Sequence, residues 1–128
     1  MPPKLDIQQV KQILAASDLI ASWQVLIEDE TAQRALYKIR CRIIRVAYEF
    51  EIRFIQTENE ILYSYQLFTD RPILRWDNAP HFPALHGYPH HVHGESSEVD
   101  ESTLTGDPIL DLPYVLSRVR DLVTKPSL

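Results

Sequence analysis

The fold is decided by residues 37–68, YKIRCRIIRVAYEFEIRFIQTENEILYSYQLF, in which apolar and polar side chains alternate over most of the length. The first part presents one set of residues to each face of a strand: Tyr37, Ile39, Cys41 and Ile43 to one, and Lys38, Arg40 and Arg42 to the other. The alternation slips at residues 44–45, which predicts a bulge or bend, and resumes over residues 48–54. A polar turn at residues 57–60 and a strand over residues 61–68 follow, so the stretch predicts consecutive antiparallel strands.

A long helix is the competing interpretation of residues 35–55. Leu36, Ile39, Ile43 and Val46 would share one face of such a helix, and no Gly, Pro, Asn or Asp marks a turn there. The stretch is rich in β-branched and aromatic residues, which pack well on a pleated surface. That composition favours strands.

The flanking sequence predicts two helices and two more strands. Residues 6–16 have the apolar spacing of a helix with Asp6 as its N-cap, and Trp23, Val25 and Ile27 alternate as a strand before the polar residues 28–31 turn the chain. After a turn at residues 69–72 comes a short strand, residues 73–77. Residues 79–110 hold too many prolines and polar residues for regular structure and predict a long loop. Asp111 would then cap a helix over residues 111–124, with Pro113 in its first turn.

These elements define an α+β fold class. We expect one domain, residues 1–128, with an antiparallel meander sheet of about four to five strands over residues 21–78. The N- and C-terminal helices should pack on one face of that sheet.

Composition narrows the class of protein. With 45% hydrophobic and 24% charged residues, the chain has the composition of a soluble globular domain, and its net charge of −5 excludes a uniformly basic nucleic-acid-binding protein. The single cysteine, Cys41, excludes a disulfide framework and favours the reducing cytoplasm. No apolar run is long enough to span a membrane, and residues 1–4 lack the apolar core of a secretory signal.

The histidines are the feature that suggests chemistry, because all five lie between His81 and His93. They follow a strand that would carry Arg75 and Asp77 on one face, about 7 Å apart. A neutral and a protonated imidazole can serve as base and acid on a phosphodiester, Arg75 can clamp the phosphate, and Asp77 can orient either group. A tyrosine of the preceding strand could border them, so the candidate catalytic residues are Arg75, Asp77, His81, His90, His91, His93 and Tyr65.

Two other interpretations of this segment stay open. Arg75 and Asp77 could simply form an ion pair at the end of a strand, beside an inert histidine loop. The histidines, including His86, could bind zinc, nickel or copper, although no cysteine pair or His-Glu-x-x-His motif accompanies them. We therefore expect neither a native metal nor another cofactor.

A basic row on the second strand gives a candidate RNA-binding surface. Lys38, Arg40 and Arg42 share one face and could follow a nucleic-acid backbone if the histidines lie nearby. Glu49 and Glu51 on the next strand could equally neutralise that row.

Two motifs resemble the TumE-like toxin family of bacterial type II toxin–antitoxin operons. They are a tyrosine strand, Tyr63-Ser64-Tyr65, and the pair of elements Arg75-Trp76-Asp77-Asn78-Ala79-Pro80-His81 and Pro89-His90-His91-Val92-His93. The match is good over residues 60–95 and looser elsewhere, and Gln66 stands where the family usually has a histidine. The resemblance implies a growth-inhibiting toxin that is neutralised by an antitoxin from the adjacent gene, with RNA cleavage as the commonest activity of such toxins.

The leading hypothesis is therefore a toxin that acts as a metal-independent endoribonuclease. His81 would pair with one of His90, His91 or His93, and RNA and the cognate antitoxin would be the partners, with no membrane involved. The alternatives are a non-enzymatic protein-interaction module and, less favoured, a histidine-based metal-binding protein. The sequence leaves open whether the chain forms a homo-oligomer.

Overall fold

The protein is an antiparallel meander flanked by two helices in a computed structural model that describes residues 5–45 and 47–125. The predictions that concern residues 1–4 and Val46 lie outside the described residues. Along the chain the elements are α1 (Ile7–Ala16), β1 (Ile20–Glu30), β2 (Ala35–Ile43), β3 (Glu49–Gln56), β4 (Ile61–Phe68), β5 (Pro72–Asp77), β6 (His91–His93), β7 (Val99–Glu101) and α2 (Pro108–Val123). Each strand pairs antiparallel with the next, in the order β1-β2-β3-β4-β5-β6-β7.

The α+β class is confirmed, but the predicted number of strands is wrong, since the sheet has seven strands rather than four to five. The extra strands, β6 and β7, lie inside residues 79–110, for which the sequence predicts a loop. Each is only three residues long. Strands this short show almost no alternation of their own. They form because β5 offers an unpaired edge to β6, and β6 in turn offers one to β7.

Turns divide the central stretch into strands and exclude the long helix. After β2 the chain bends at residues 44–45, as predicted, and the Ile43 N–H donates to the carbonyl of Tyr48 at 3.3 Å. Ala47 takes the left-handed conformation there, with φ of +78°. Without a glycine or asparagine at this position, the sequence carries no conventional turn signal.

The turn between β1 and β2 comes later in the chain than the predicted residues 28–31. β1 continues to Glu30, and the chain reverses at residues 31–34, where Thr31 Oγ1 accepts a hydrogen bond from the Arg34 N–H at 3.1 Å. The predicted turn at residues 57–60 is confirmed and uses the same device, with Thr57 Oγ1 accepting from the Glu60 N–H at 3.3 Å. A short threonine side chain that bonds to nearby backbone amides stabilises both reversals.

The C-terminal helix begins earlier than predicted, and its cap is a different aspartate. Asp107 is the N-cap of α2, accepting from the Ile109 N–H at 3.1 Å, and Pro108 occupies the first helical position. Pro113 therefore lies inside the helix rather than in its first turn. Asp111 is buried, and its carboxylate accepts from the N–H and hydroxyl of Thr105 and from the N–H of Gly106. Helix α1 follows the prediction closely, with Asp6 as its N-cap.

The two faces of the sheet differ in character. One face is buried in the core together with residues of both helices, as predicted; its members include Ile39, Phe50, Ile52, Phe54, Tyr65 and Trp76 from the sheet, Val10 and Leu14 from α1, and Leu112, Val115 and Val119 from α2. Cys41 lies in this core, and burial raises the pKa of its thiol to about 12, which fits a structural thiol. The opposite face carries the polar partners of the alternation and bears the candidate site. No helix among residues 5–45 and 47–125 is long and apolar enough to cross a membrane.

Candidate functional site

Strand pairing brings four of the predicted site residues together on the open face. Arg75 lies opposite His93 and Asp77 lies opposite His91 in the β5–β6 ladder. Cross-strand neighbours have Cβ atoms about 5 Å apart, so these side chains are in contact range. We call Arg75, Asp77, His91 and His93 the Arg-Asp-His cluster.

Asp77 is the centre of this cluster. Its Oδ1 accepts a hydrogen bond from the Ala79 N–H at 3.0 Å, which fixes the carboxylate at the end of β5. Its Oδ2 accepts from Nε of Arg75 at 2.9 Å and lies 3.5 Å from Nε2 of His93. The residue is 7% exposed, so its contacts are made largely out of water.

His91 is the most deeply buried member, with 1% of its surface exposed. Its Nδ1 donates to the carbonyl of Pro89 at 2.9 Å, which sets the orientation of the ring. Its Nε2 lies 2.9 Å from Oδ1 of Asp77 but is not aligned to form a hydrogen bond with it. The phenyl ring of Phe82 packs edge-on against the imidazole, with centroids 4.9 Å apart. His91 is therefore almost completely closed to solvent, and its ring lies against the carboxylate of Asp77.

His93 is the accessible imidazole of the cluster. Its Nε2 lies 3.1 Å from Nη2 of Arg75, and because a guanidinium can only donate, Nε2 is the acceptor. Burial lowers the pKa of His93, and the neighbouring Arg75 charge lowers it further, whereas Asp77 raises it and His91 opposes Asp77. His93 therefore presents a neutral ring with its lone pair on Nε2 at neutral pH.

The Arg-Asp-His cluster forms one wall of a groove of about 550 Å³ on the open face. His81 and Phe82 line the groove as well, and their rings lie edge-on to each other at 6.4 Å. Polar residues outside the predicted set also line this groove, among them Arg53, Ser64 and Gln66. Their positions follow from register, because Arg53 lies opposite Ser64, Ser64 opposite Asp77, and Gln66 opposite Arg75.

His90 is not part of the cluster, although it adjoins His91 in sequence. Tyr63 lies on the helix-covered face, and its hydroxyl is hydrogen-bonded to Nδ1 of His90 at 2.7 Å, with the two rings stacked. Burial raises the pKa of Tyr63, so its hydroxyl stays protonated, and burial also lowers the pKa of His90. We call these two residues the Tyr63–His90 pair.

Two further residues named from the sequence lie away from the groove. Tyr65 pairs with Trp76 in the ladder and is fully buried on the helix-covered face, so its phenol does not border the cluster. His86 is exposed in the segment between β5 and β6 and does not line the groove. Of the five histidines, the groove thus contains His81, His91 and His93.

The basic row lies on the same face as the groove but two strands beyond β4. Arg40 donates to Oε1 of Glu51 at 2.7 Å, and Nζ of Lys38 lies 3.8 Å from the same oxygen. The guanidinium of Arg40 also lies over the ring of Phe68, at 5.1 Å. Glu51 therefore offsets the charges of Lys38 and Arg40, in agreement with the interpretation that acidic residues of the next strand neutralise the row. Arg42 is the exposed member of the row.

Asp77, His91 and His93 are also the residues with donor atoms close enough to share a metal ion, since these atoms lie within 4.8 Å of one another. The orientation of His91 by a backbone carbonyl is common among metal-binding histidines. Arg75, however, donates to both Asp77 and His93 and so occupies two of the three donor groups with a positive charge. As folded, the arrangement is a hydrogen-bonded charge cluster rather than an open metal centre.

Fold and site together define a small α+β protein with an antiparallel meander sheet. The face of the sheet that the helices leave open has a groove lined by ionisable side chains. The sequence model of the family described as Toxin TumE matches residues 10–123. The chain therefore belongs to the TumE toxin family, and the resemblance drawn from residues 60–95 is confirmed over nearly the whole length. This membership supports a role as a toxin with an antitoxin as its partner. No curated protein and no solved structure matches the chain.

Proposed function

We propose that this toxin is a metal-independent endoribonuclease that cleaves RNA in the groove beside the Arg-Asp-His cluster. The observation that carries the proposal is the contact of His93 with Arg75, which places an uncharged imidazole lone pair next to a phosphate-binding cation. Among the three candidate partners of His81 we choose His93, because His91 is buried and His90 lies on the other face.

The reaction needs only groups that line the groove. Nε2 of His93 takes the proton from the 2′-hydroxyl, and the 2′-oxygen forms a bond to the adjacent phosphorus. The bond from phosphorus to the 5′-oxygen breaks, and His81 donates a proton to that leaving oxygen. The products are a 2′,3′-cyclic phosphate and a free 5′-hydroxyl.

Arg75 and Asp77 have supporting roles in this scheme. The side chain of Arg75 is 42% exposed and can turn toward a phosphate, which both frees Nε2 of His93 and stabilises the charge that develops on the phosphoryl oxygens. Asp77 holds Arg75 in place before RNA binds. It is a positioning residue.

The test is cleavage of a labelled single-stranded RNA in excess EDTA. We expect cleavage to continue, to leave cyclic phosphate ends, and to fall about 10²- to 10⁴-fold in His81→Ala and in His93→Ala, the range of a lost acid or base. His86→Ala is the matched control, since His86 is exposed in the same segment and lies outside the groove.

Two results would overturn the proposal. One is cleavage that stops in EDTA and returns with a divalent ion. The other is growth arrest by His81→Ala and His93→Ala that equals growth arrest by the wild type, which would favour the non-enzymatic interaction module instead.

A further inference from the structure

We infer that the groove binds one unstacked nucleotide of single-stranded RNA. Its base would lie on an apolar row formed by Ile55, Leu62 and Pro80, and its phosphate would lie between Arg53 and Arg75. The inference rests on the proposed ribonuclease function and names the substrate class of the same groove. It also adds Arg53 to the binding residues, where the sequence had offered Lys38, Arg40 and Arg42.

The apolar row is unusual for this face of the sheet. Ile55 and Leu62 are cross-strand partners on the open face, both are half-buried, and both line the groove together with Pro80. On the same face of these strands, the next residues are the polar Arg53 on β3 and Ser64 on β4. A nucleobase matches such a row, because its flat apolar face can cover the side chains while its edges remain hydrogen-bonded to water.

Arg53 is placed to bind the phosphate of that nucleotide. It is exposed, lies about 7 Å along β3 from Ile55 on the same face, and forms no ion pair with another of the described residues. Arg75, on the facing side of the groove, is held by Asp77. Two guanidinium groups that line one groove repel each other, and a phosphate between them removes that repulsion and offers each a planar set of acceptors.

The size of the groove favours a single strand over a duplex. A volume of about 550 Å³ lies in the range of sites for small ligands. In a duplex the faces of the bases are stacked on one another and cannot reach Ile55 and Leu62. Proteins that bind single strands combine a basic groove with apolar or aromatic surfaces for bases, which is the combination found here.

The experiment measures binding separately from cleavage by using fluorescently labelled RNA in which every 2′-hydroxyl is methylated, so that the proposed nucleophile is missing. We expect the full chain to bind this single strand at least tenfold more tightly than the same sequence in a duplex. We expect Arg53→Gln to weaken binding about tenfold and to reduce the slope of log affinity against log salt by about 0.7, the value for one phosphate contact in a single strand. Ile55→Thr keeps a β-branched side chain and should weaken binding of the normal strand, but not of a strand of abasic nucleotides.

Arg42→Gln is the matched control, because Arg42 is an exposed arginine on the same face but outside the groove. Equal losses for Arg42→Gln and Arg53→Gln would overturn the inference in favour of a diffuse basic surface, as would equal binding of single strand and duplex. The two proposals fail in different ways. Tight, Arg53-dependent binding without cleavage of unmodified RNA would contradict the ribonuclease alone, and cleavage that is unaffected by Arg53→Gln would contradict the nucleotide site alone.

Discussion

His90 and the pair His91 and His93 are adjacent in sequence and lie in opposite environments. His91 and His93 share the open face with a charged aspartate and arginine. His90 lies on the helix-covered side, where it is bonded to the tyrosine hydroxyl of Tyr63. The strand alternation that begins at His91 separates them, so a cluster of histidines in the sequence becomes two sites with different chemistry.

The two sites differ in what lowers the pKa of the histidine. In the Tyr63–His90 pair, burial is the main cause of the low pKa, and Arg75 is not among the causes. In the Arg-Asp-His cluster, burial acts together with the Arg75 charge on His93. The first site is a hydrogen bond between uncharged groups within the fold, whereas the second is an arrangement of charged groups that lines the open groove.

The largest expected effect comes from removing the centre of the cluster. Asp77→Asn removes the charge of a buried carboxylate that accepts hydrogen bonds from Arg75 and from the Ala79 N–H, and we expect it to lower the free energy of unfolding by about 2 kcal/mol. Urea unfolding followed by circular dichroism measures this change. Asp100→Asn, at an exposed position of β7, is the control and should change stability by less than about 0.5 kcal/mol. Equal effects of the two substitutions would show that the cluster contributes nothing to the fold.

A smaller effect is expected at the other site. Tyr63→Phe removes the hydroxyl that is hydrogen-bonded to Nδ1 of His90, and we expect a loss of about 1 kcal/mol in the free energy of unfolding. RNA cleavage should not change, because His90, the partner of that hydroxyl, does not line the groove. Urea unfolding and the RNA cleavage assay together test the separation of the two sites. If Tyr63→Phe lowered cleavage as much as His93→Ala does, the two sites would be coupled and the contrast between them would be wrong.

The sequence predicts the parts of this molecule that depend on local alternation. The core-facing positions Ile39, Phe50 and Trp76 and the shared face of Arg75 and Asp77 all follow from period two. The strands at residues 91–93 and 99–101 cannot be predicted in this way, because each is stabilised by the neighbouring strand rather than by an alternating pattern of its own.

Alternation within β4 carries the signal that places Tyr65. It shares its side of the strand with Ile61 and Leu67 and alternates with Ser64 and Gln66, so period two turns it toward the core, where it pairs with Trp76. Arg53 is a different case. Its nearness to Asp77 depends on the registers of two successive strand pairs, which no single strand encodes.

The smallest effect is a change in the titration of one histidine. His93 has a lowered pKa because of burial and then Arg75, with His91 acting in the same direction and Asp77 against it. In Arg75→Gln the repulsion by the guanidinium is gone and the attraction by Asp77 remains, so the pKa of His93 should rise. The pKa of His90 depends on burial, Asp111 and His91 and should stay the same. NMR titration of the imidazole resonances of wild type and Arg75→Gln measures both values in one experiment. A rise in the pKa of both histidines, or of neither, would mean that Arg75 does not distinguish the two sites.

The same substitution should change the pH dependence of any remaining RNA cleavage. Because a base must be deprotonated to act, the fall in cleavage rate on the acidic side of the pH profile should move to higher pH in Arg75→Gln.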